Sequence, residues 1–220
     1  MENKLIYKYI DHTLLKPTSS WIDISQICQQ ALDYKTASAC IPPIYVEKAH
    51  KTFPELNICT VIGFPLGYTY SDIKTYEAQE ALAKGANEID MVTNIAEIKN
   101  LDWDKVLADI VAVRQVTQGH ILKVIIETAY LNKVEKIKMC QLITQAKADY
   151  IKTSTGFASS GATPADIELF SKYIGSRVRM KAAGGVKTKS DIEKYIALGV
   201  DRIGTSSAIE ILAGQTAKGY

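Results

Sequence analysis

The 220-residue chain predicts an α/β protein of the (β/α)8 barrel class, folded as a single domain over residues 1–220. Three observations predict it. Eight short apolar runs recur along the chain, at 8–12, 37–41, 58–63, 88–92, 121–127, 149–153, 178–183 and 201–204. Helical periodicity fills the segments between them, and strands alternating with helices make a parallel sheet. No composition shift or Pro/Gly-rich linker divides the chain, and its length suits eight compact β/α units. A doubly wound open sheet would have similar content and is the competing architecture.

Each element has its own signal. Ser20 to Leu32 places Ile22, Ile24, Ile27, Cys28, Ala31 and Leu32 mostly on one face of a helix. Ser71 to Lys84 opens on Ser-Asp, which reads as an N-cap, and stops at Gly85, which reads as C′. Asp102 to Val116 ends near Gly119, and Lys133 to Ala146 carries Val134, Ile137, Cys140 and Ile143. Thr163-Pro164 opens the next helix with proline at its first position, and Ser190 to Leu198 closes at Gly199. The runs Ile89-Asp90-Met91-Val92 and Val124-Ile125-Ile126 are apolar enough to be covered on both faces.

Composition excludes several classes. A net charge of +2, with no basic block, argues against nucleic acid or an acidic membrane surface as partner. The four cysteines form no CxxC pair and the three histidines are scattered, so zinc spacing is absent and no metal is expected. The start lacks a signal-peptide core and no apolar run approaches 18 residues, which predicts a cytoplasmic protein with reduced thiols.

Barrel enzymes place their chemistry at the C-terminal ends of strands. Asp11, Cys40, Asp90, Glu127, Lys152 and Lys181 all fall near such ends. Lys152 and Lys181 are the most informative. Each stands in an apolar run that breaks into small residues, Thr-Ser-Thr-Gly after one and Ala-Ala-Gly-Gly after the other. An ammonium is costly to bury, and a neighbouring ammonium favours the neutral amine, the form that attacks a carbonyl to give a Schiff base. Two strand-end lysines paired with carboxylates are the bland alternative. Asp90 follows one apolar residue and precedes two, so it is expected to point into the mouth, as a proton shuttle or as an ion-pair partner. Asp11 would balance a lysine, while His12 and Cys40 read as structural residues.

Gly184-Gly185 after the seventh strand and Gly204-Thr205-Ser206-Ser207 after the eighth form a second constellation. Ser206-Ser207-Ala208-Ile209 reads as the start of a short helix, and backbone N–H groups there can hold a phosphate.

These segments resemble the 2-deoxyribose-5-phosphate aldolase family of the short bacterial type. The resemblance rests on Ile10-Asp-His-Thr-Leu-Leu-Lys-Pro17, Glu88-Ile-Asp-Met-Val92, Leu122-Lys-Val-Ile-Ile-Glu-Thr128, Tyr150-Ile-Lys-Thr-Ser-Thr-Gly156, Met180-Lys-Ala-Ala-Gly-Gly185 and Arg202-Ile-Gly-Thr-Ser-Ser207, and so covers essentially the whole chain. It implies a class I aldolase that needs no cofactor. Such an enzyme cleaves 2-deoxy-D-ribose 5-phosphate reversibly to D-glyceraldehyde 3-phosphate and acetaldehyde. By matched position, Lys152 is the Schiff-base lysine, Lys181 keeps it partly neutral, Asp90 transfers protons and Asp11 supports the lysines. Gly156, Gly184, Gly185, Gly204, Ser206 and Ser207 match the phosphate loops. The resemblance also favours a homodimer.

Two positions strain the pattern. Some longer members carry a lysine where this chain has Phe157, so the phosphate is expected to rest more on backbone N–H groups. The terminal Tyr220 matches a tyrosine that can fold over the site and assist proton transfer. Another Schiff-base sugar-phosphate aldolase is the nearest rival reading, and a barrel that binds a sugar phosphate without turnover is the other.

Overall fold

The computed structural model describes residues 1–215. Eight parallel strands close into one barrel: β1 (Ile10–Thr13), β2 (Ser38–Ile41), β3 (Ile58–Ile62), β4 (Glu88–Val92), β5 (Ile121–Ile125), β6 (Tyr150–Lys152), β7 (Arg179–Ala183) and β8 (Arg202–Thr205). The strands follow chain order round the barrel and β1 pairs with β8. Closure removes every sheet edge and decides between the two architectures left open by the sequence.

The helices outside the barrel are α1 (Asn3–Ile6), α2 (Trp21–Tyr34), α3 (Val46–Thr52), α4 (Ser71–Ala83), α5 (Ile95–Lys99), α6 (Trp103–Val116), α7 (Lys133–Gln145), α8 (Pro164–Tyr173), α9 (Lys189–Ala197) and α10 (Ala208–Leu212). Three of the longer helices start on a reciprocal cap. Ser20 and Asp23 form a capping box on α2, as do Asn132 and Glu135 on α7 and Thr188 and Asp191 on α9; each such cap is worth about 1 kcal/mol.

Three short helices, α1, α3 and α5, carry no sequence signal, because one to two turns show no readable periodicity. The expected Ser-Asp cap of α4 is corrected: Ser71 is already helical and Tyr70 takes the cap position without a side-chain bond. The start expected at Ser190 also moves, because the Thr188 hydroxyl reaches the Asp191 N–H and begins α9 at Lys189.

The core lies between the barrel and its helices. Ile24, Ile27, Cys28 and Ala31 of α2 are buried there, as are Val106, Ile110 and Val113 of α6. The barrel interior holds a second population of buried side chains, and these are charged. Register brings them together: Asp90 pairs across with Lys123, Lys152 with Lys181, and Lys181 with Arg202. Paired residues of neighbouring strands face the same side of a sheet.

Candidate active site

Seven ionisable side chains from β1, β4, β5, β6, β7 and β8 meet inside the barrel. Asp90 is at their centre and is fully buried. Its Oδ2 accepts from Lys152 Nζ and Lys181 Nζ, both at 2.7 Å, and its Oδ1 accepts from Lys123 Nζ at 2.9 Å. Asp11 Oδ2 lies 2.5 Å from Lys181 Nζ, and its Oδ1 accepts from Ser38 Oγ at 2.8 Å and Arg202 Nη1 at 2.5 Å. Glu88 takes Arg202 through both oxygens, at 2.9 and 3.1 Å, and lies 2.6 Å from Lys123 Nζ. Four cations therefore share three carboxylates, with Lys123, Lys152, Lys181 and Arg202 against Asp11, Glu88 and Asp90.

That imbalance sets the electrostatics. Burial alone would push the Asp90 carboxyl up, but Lys123, Lys152 and Lys181 outweigh it and hold the group well below the usual carboxylate range. Burial opposes the charged form of Asp11 too, and Lys181, Lys123 and Arg202 reverse the effect. Lys181 is also desolvated, yet Asp11 and Asp90 hold its ammonium above the usual lysine range. Lys123 behaves in the same way, held by Asp90 and other neighbours. Lys181 and Lys123 are thus firmly cationic. Lys152 is held differently: its ion-pair partner is Asp90 Oδ2, an oxygen it shares with Lys181.

A cavity of about 850 Å³ opens above this network. Of the three lysines in the network, Lys152 alone lines it. Thr155, Gly156, Gly184, Gly185, Gly204, Ser206 and Ser207 line the same cavity, with Lys187 and Lys189 among the residues around it. Gly184 and Gly185 both take φ of +75°, a conformation that side chains resist, and a Cβ at Gly184 would meet the Gly161 backbone at 3.0 Å. A Cβ at Gly204 would crowd Lys181 Cε at 3.3 Å, so this glycine gives the lysine stem its room.

Residues 5–212 match the sequence profile described as DeoC/LacD family aldolase. The chain belongs to that family. A relative from Clostridium botulinum (strain Alaska E43 / Type E3), named deoxyribose-phosphate aldolase, is 53% identical over 100% of both chains. One of the same name from Clostridioides difficile (strain 630) is 48% identical over 99% of this chain and 100% of its own. The solved tetrameric deoxyribose phosphate aldolase from Aeropyrum pernix superposes with a TM-score of 0.90 at 29% identity, covering 97% of this chain and 92% of that one.

The DeoC/LacD barrel brings together every expected site residue that the structure describes. Lys152 and Lys181 hydrogen-bond Asp90, Asp11 ion-pairs with Lys181, and the six expected phosphate-loop residues ring one cavity. Asp90 does not point into the mouth as expected. It is the third residue of a five-residue strand, so it sits beneath Lys152 and away from the cavity lining. Tyr220 lies outside the described residues. Cys40 is buried and His12 bonds Gln30 through Nε2 at 2.8 Å, as structural residues would. Phe157 packs edge-on against Phe64, with ring centroids 5.3 Å apart.

Sequence reasoning missed Lys123, Glu88, Arg202 and Cys59. A signal existed, because Lys123 interrupts Ile121-Leu-Lys-Val-Ile125 just as Lys152 and Lys181 interrupt their own strands. Cys59 and the carboxylates also make two three-ligand groups, Cys40/Cys59/Asp90 and Asp11/Cys59/Glu88. The ammoniums of Lys123 and Lys181 already lie on those carboxylates, so a metal dication there would face like charge. Among the described residues, no helix is long and apolar enough to cross a membrane.

Proposed function

We infer that this chain is a deoxyribose-phosphate aldolase, cleaving 2-deoxy-D-ribose 5-phosphate reversibly to D-glyceraldehyde 3-phosphate and acetaldehyde through a Schiff base on Lys152. The relatives of that name, matched over their full length at about half identity, support the reaction. One observation supports the nucleophile: Lys152 is the network lysine that reaches the cavity, while Lys181 and Lys123 are buried as ammoniums.

The Lys152 amine attacks C1 of the open-chain sugar. Asp90 Oδ2, 2.7 Å from Nζ, is within direct reach of the protons exchanged as the carbinolamine loses water. The resulting protonated imine is the electron sink. The 3-hydroxyl gives up its proton, through water to Asp90, the C2–C3 bond breaks, and its electron pair forms the enamine. Protonation at C2 and hydrolysis of the imine release acetaldehyde and restore the amine. Lys181 stays charged throughout and favours the neutral form of its neighbour. Asp11 and Arg202 hold Lys181 and Glu88 in place.

The phosphate group rests in the ring formed by Gly156, Gly184, Gly185, Gly204, Ser206 and Ser207. Lys187 supplies a point charge on the same cavity wall, where Phe157 does not. We place the enzyme in the cytoplasm, in keeping with its four free cysteines, as a homodimer that covers the exposed Tyr68, Tyr70, Ile73 and Tyr76.

The test is a borohydride trap. Protein is incubated with acetaldehyde, reduced, digested and mapped by mass spectrometry. An ethyl adduct on Lys152, lost in Lys152→Ala, is the expected result. An adduct on Lys181 instead would exchange the roles of the two lysines. No specific adduct on folded protein would sink the Schiff-base reading. A related aldolase of different donor is told apart by supplying dihydroxyacetone phosphate, which is expected to be inert.

A further inference from the structure

Glu127 stands outside the lysine network and the mechanism does not use it, yet the chain holds it at a cost. Its φ is +49°, in the left-handed region that residues with a Cβ avoid. Its side chain is buried, and among the described residues Oε1 has no hydrogen-bond partner. Both features are unfavourable on their own. The other oxygen shows what they secure. Oε2 accepts from the backbone N–H of Thr155 at 3.1 Å and from the Thr155 hydroxyl by a second, short bond.

Thr155 lines the cavity between Lys152 and Gly156. A threonine hydroxyl has one proton to give and two lone pairs to offer. Burial pushes the Glu127 carboxyl up, while the two Thr155 bonds and Lys152 favour its charged form; as a carboxylate Oε2 can only accept, so the hydroxyl proton points to it. One lone pair is occupied by the Phe157 N–H at 3.0 Å. Among the described residues one lone pair is left without a donor, and it is the hydrogen-bonding capacity the hydroxyl keeps for a ligand.

We propose that Glu127 is a positioning residue that turns the Thr155 hydroxyl into an obligate hydrogen-bond acceptor, and that this acceptor selects a substrate carrying a hydroxyl beside the phosphate-bearing carbon. The proposal rests on the reaction inferred above. With C1 on Lys152 and the phosphate in the glycine and serine ring, the middle of the sugar lies along Thr155. The 3-hydroxyl loses its proton during cleavage. The 4-hydroxyl keeps its own and is the donor that a pure acceptor recognises. In the direction of synthesis it is the 2-hydroxyl of the acceptor aldehyde.

The experiment compares two acceptors in acetaldehyde addition, D-glyceraldehyde 3-phosphate and 3-oxopropyl phosphate, which lacks that hydroxyl. The readout is the ratio of their kcat/KM values. One net hydrogen bond is worth about tenfold in such a ratio, so Thr155→Val is expected to lower discrimination about tenfold and Thr155→Ser to keep it. Glu127→Met, which lets the hydroxyl donate as well as accept, is expected to lower it by less than Thr155→Val does. The two changes together should do no more than Thr155→Val alone, because Glu127 acts through that hydroxyl. A purely structural Glu127 would lower both rates alike and leave the ratio unchanged. Unchanged discrimination in Thr155→Val, or additive losses in the double variant, overturns the proposal, and the first of these does not depend on Glu127→Met folding. Wild-type protein that adds acetaldehyde to neither acceptor would remove the inferred reaction itself, and the proposal with it.

Discussion

Replacing Lys123 with methionine tests whether the excess cation in the barrel is what frees Lys152 to react. The two ammoniums sit on opposite oxygens of the Asp90 carboxylate, at 2.9 and 2.7 Å. Their separation is therefore at most about 8 Å, and at an effective dielectric of about 20 their repulsion is about 2 kcal/mol. Lys123→Met removes that repulsion and leaves three cations on three carboxylates. It also strips Asp90 Oδ1 of its ammonium partner, which acts in the same direction. The carboxylates then hold the Lys152 side chain more tightly, and an attack on the carbonyl must work against that attraction. kcat/KM is expected to fall about 30-fold, the factor that corresponds to about 2 kcal/mol. The assay is cleavage of deoxyribose 5-phosphate across pH, paired with borohydride trapping of acetaldehyde at the same pH values. Removal of one buried partner also destabilises the fold, by about 3–5 kcal/mol, so circular dichroism must first show folded protein. A kcat/KM and a trapping yield that stay unchanged or rise in folded Lys123→Met would refute the reasoning.

Three further outcomes follow from other parts of the molecule. Lys74 and Asp109 form a buried ion pair between α4 and α6, 2.6 Å apart and remote from the cavity lining. Lys74→Met should cost about 3–5 kcal/mol by stranding the carboxylate, seen as a fall in the thermal midpoint, with the pH profile of the folded enzyme unchanged. Burial pushes the thiols of Cys28 and Cys140 up to about 12. The unfolded chain then releases these protons from about pH 8.5 upward while the folded chain keeps them, so stability should fall with rising pH by about 1.4 kcal/mol per unit for each thiol. Denaturant titrations should show that slope reduced in Cys28→Ala/Cys140→Ala. Phe157→Lys places a charge at the cavity rim, and because the position is partly exposed the gain should be modest. KM for the phosphorylated substrate should fall about 3–10-fold, with little change for deoxyribose itself.

The strands were the most legible part of the fold. Each of the eight expected runs contains or overlaps an observed strand, and β4 at Glu88–Val92 matches to the residue. Apolar runs this short, bounded by glycine or polar turns, have few other uses. Helix starts were less legible. Thr188 and Ser190 are both plausible caps, and the choice fell to Thr188 because its hydroxyl is the one placed to reach the Asp191 N–H. In the site, Lys152 and Lys181 stood out by their flanks, whereas Lys123 did not. Its segment ends in Ile125-Ile126-Glu127 rather than in small residues, so nothing nearby advertised a ligand's approach.

The sequence by itself determined the order of eight strand and helix units, the two candidate lysines at the ends of β6 and β7, and the glycine-rich loops that follow β7 and β8. Those features are local: periodicity, flanking residues and turn chemistry act within a few positions of the chain. Only the tertiary structure decided which charges share a partner. Asp11 meets Arg202 across 191 positions because β1 closes against β8, and Asp90 lies below the cavity because of its place in β4. This convergence gathers four cations on three carboxylates, and Lys152 differs from Lys181 and Lys123 in lining the cavity. Distance in space between residues far apart in the chain sets an electrostatic energy, and no local pattern encodes it.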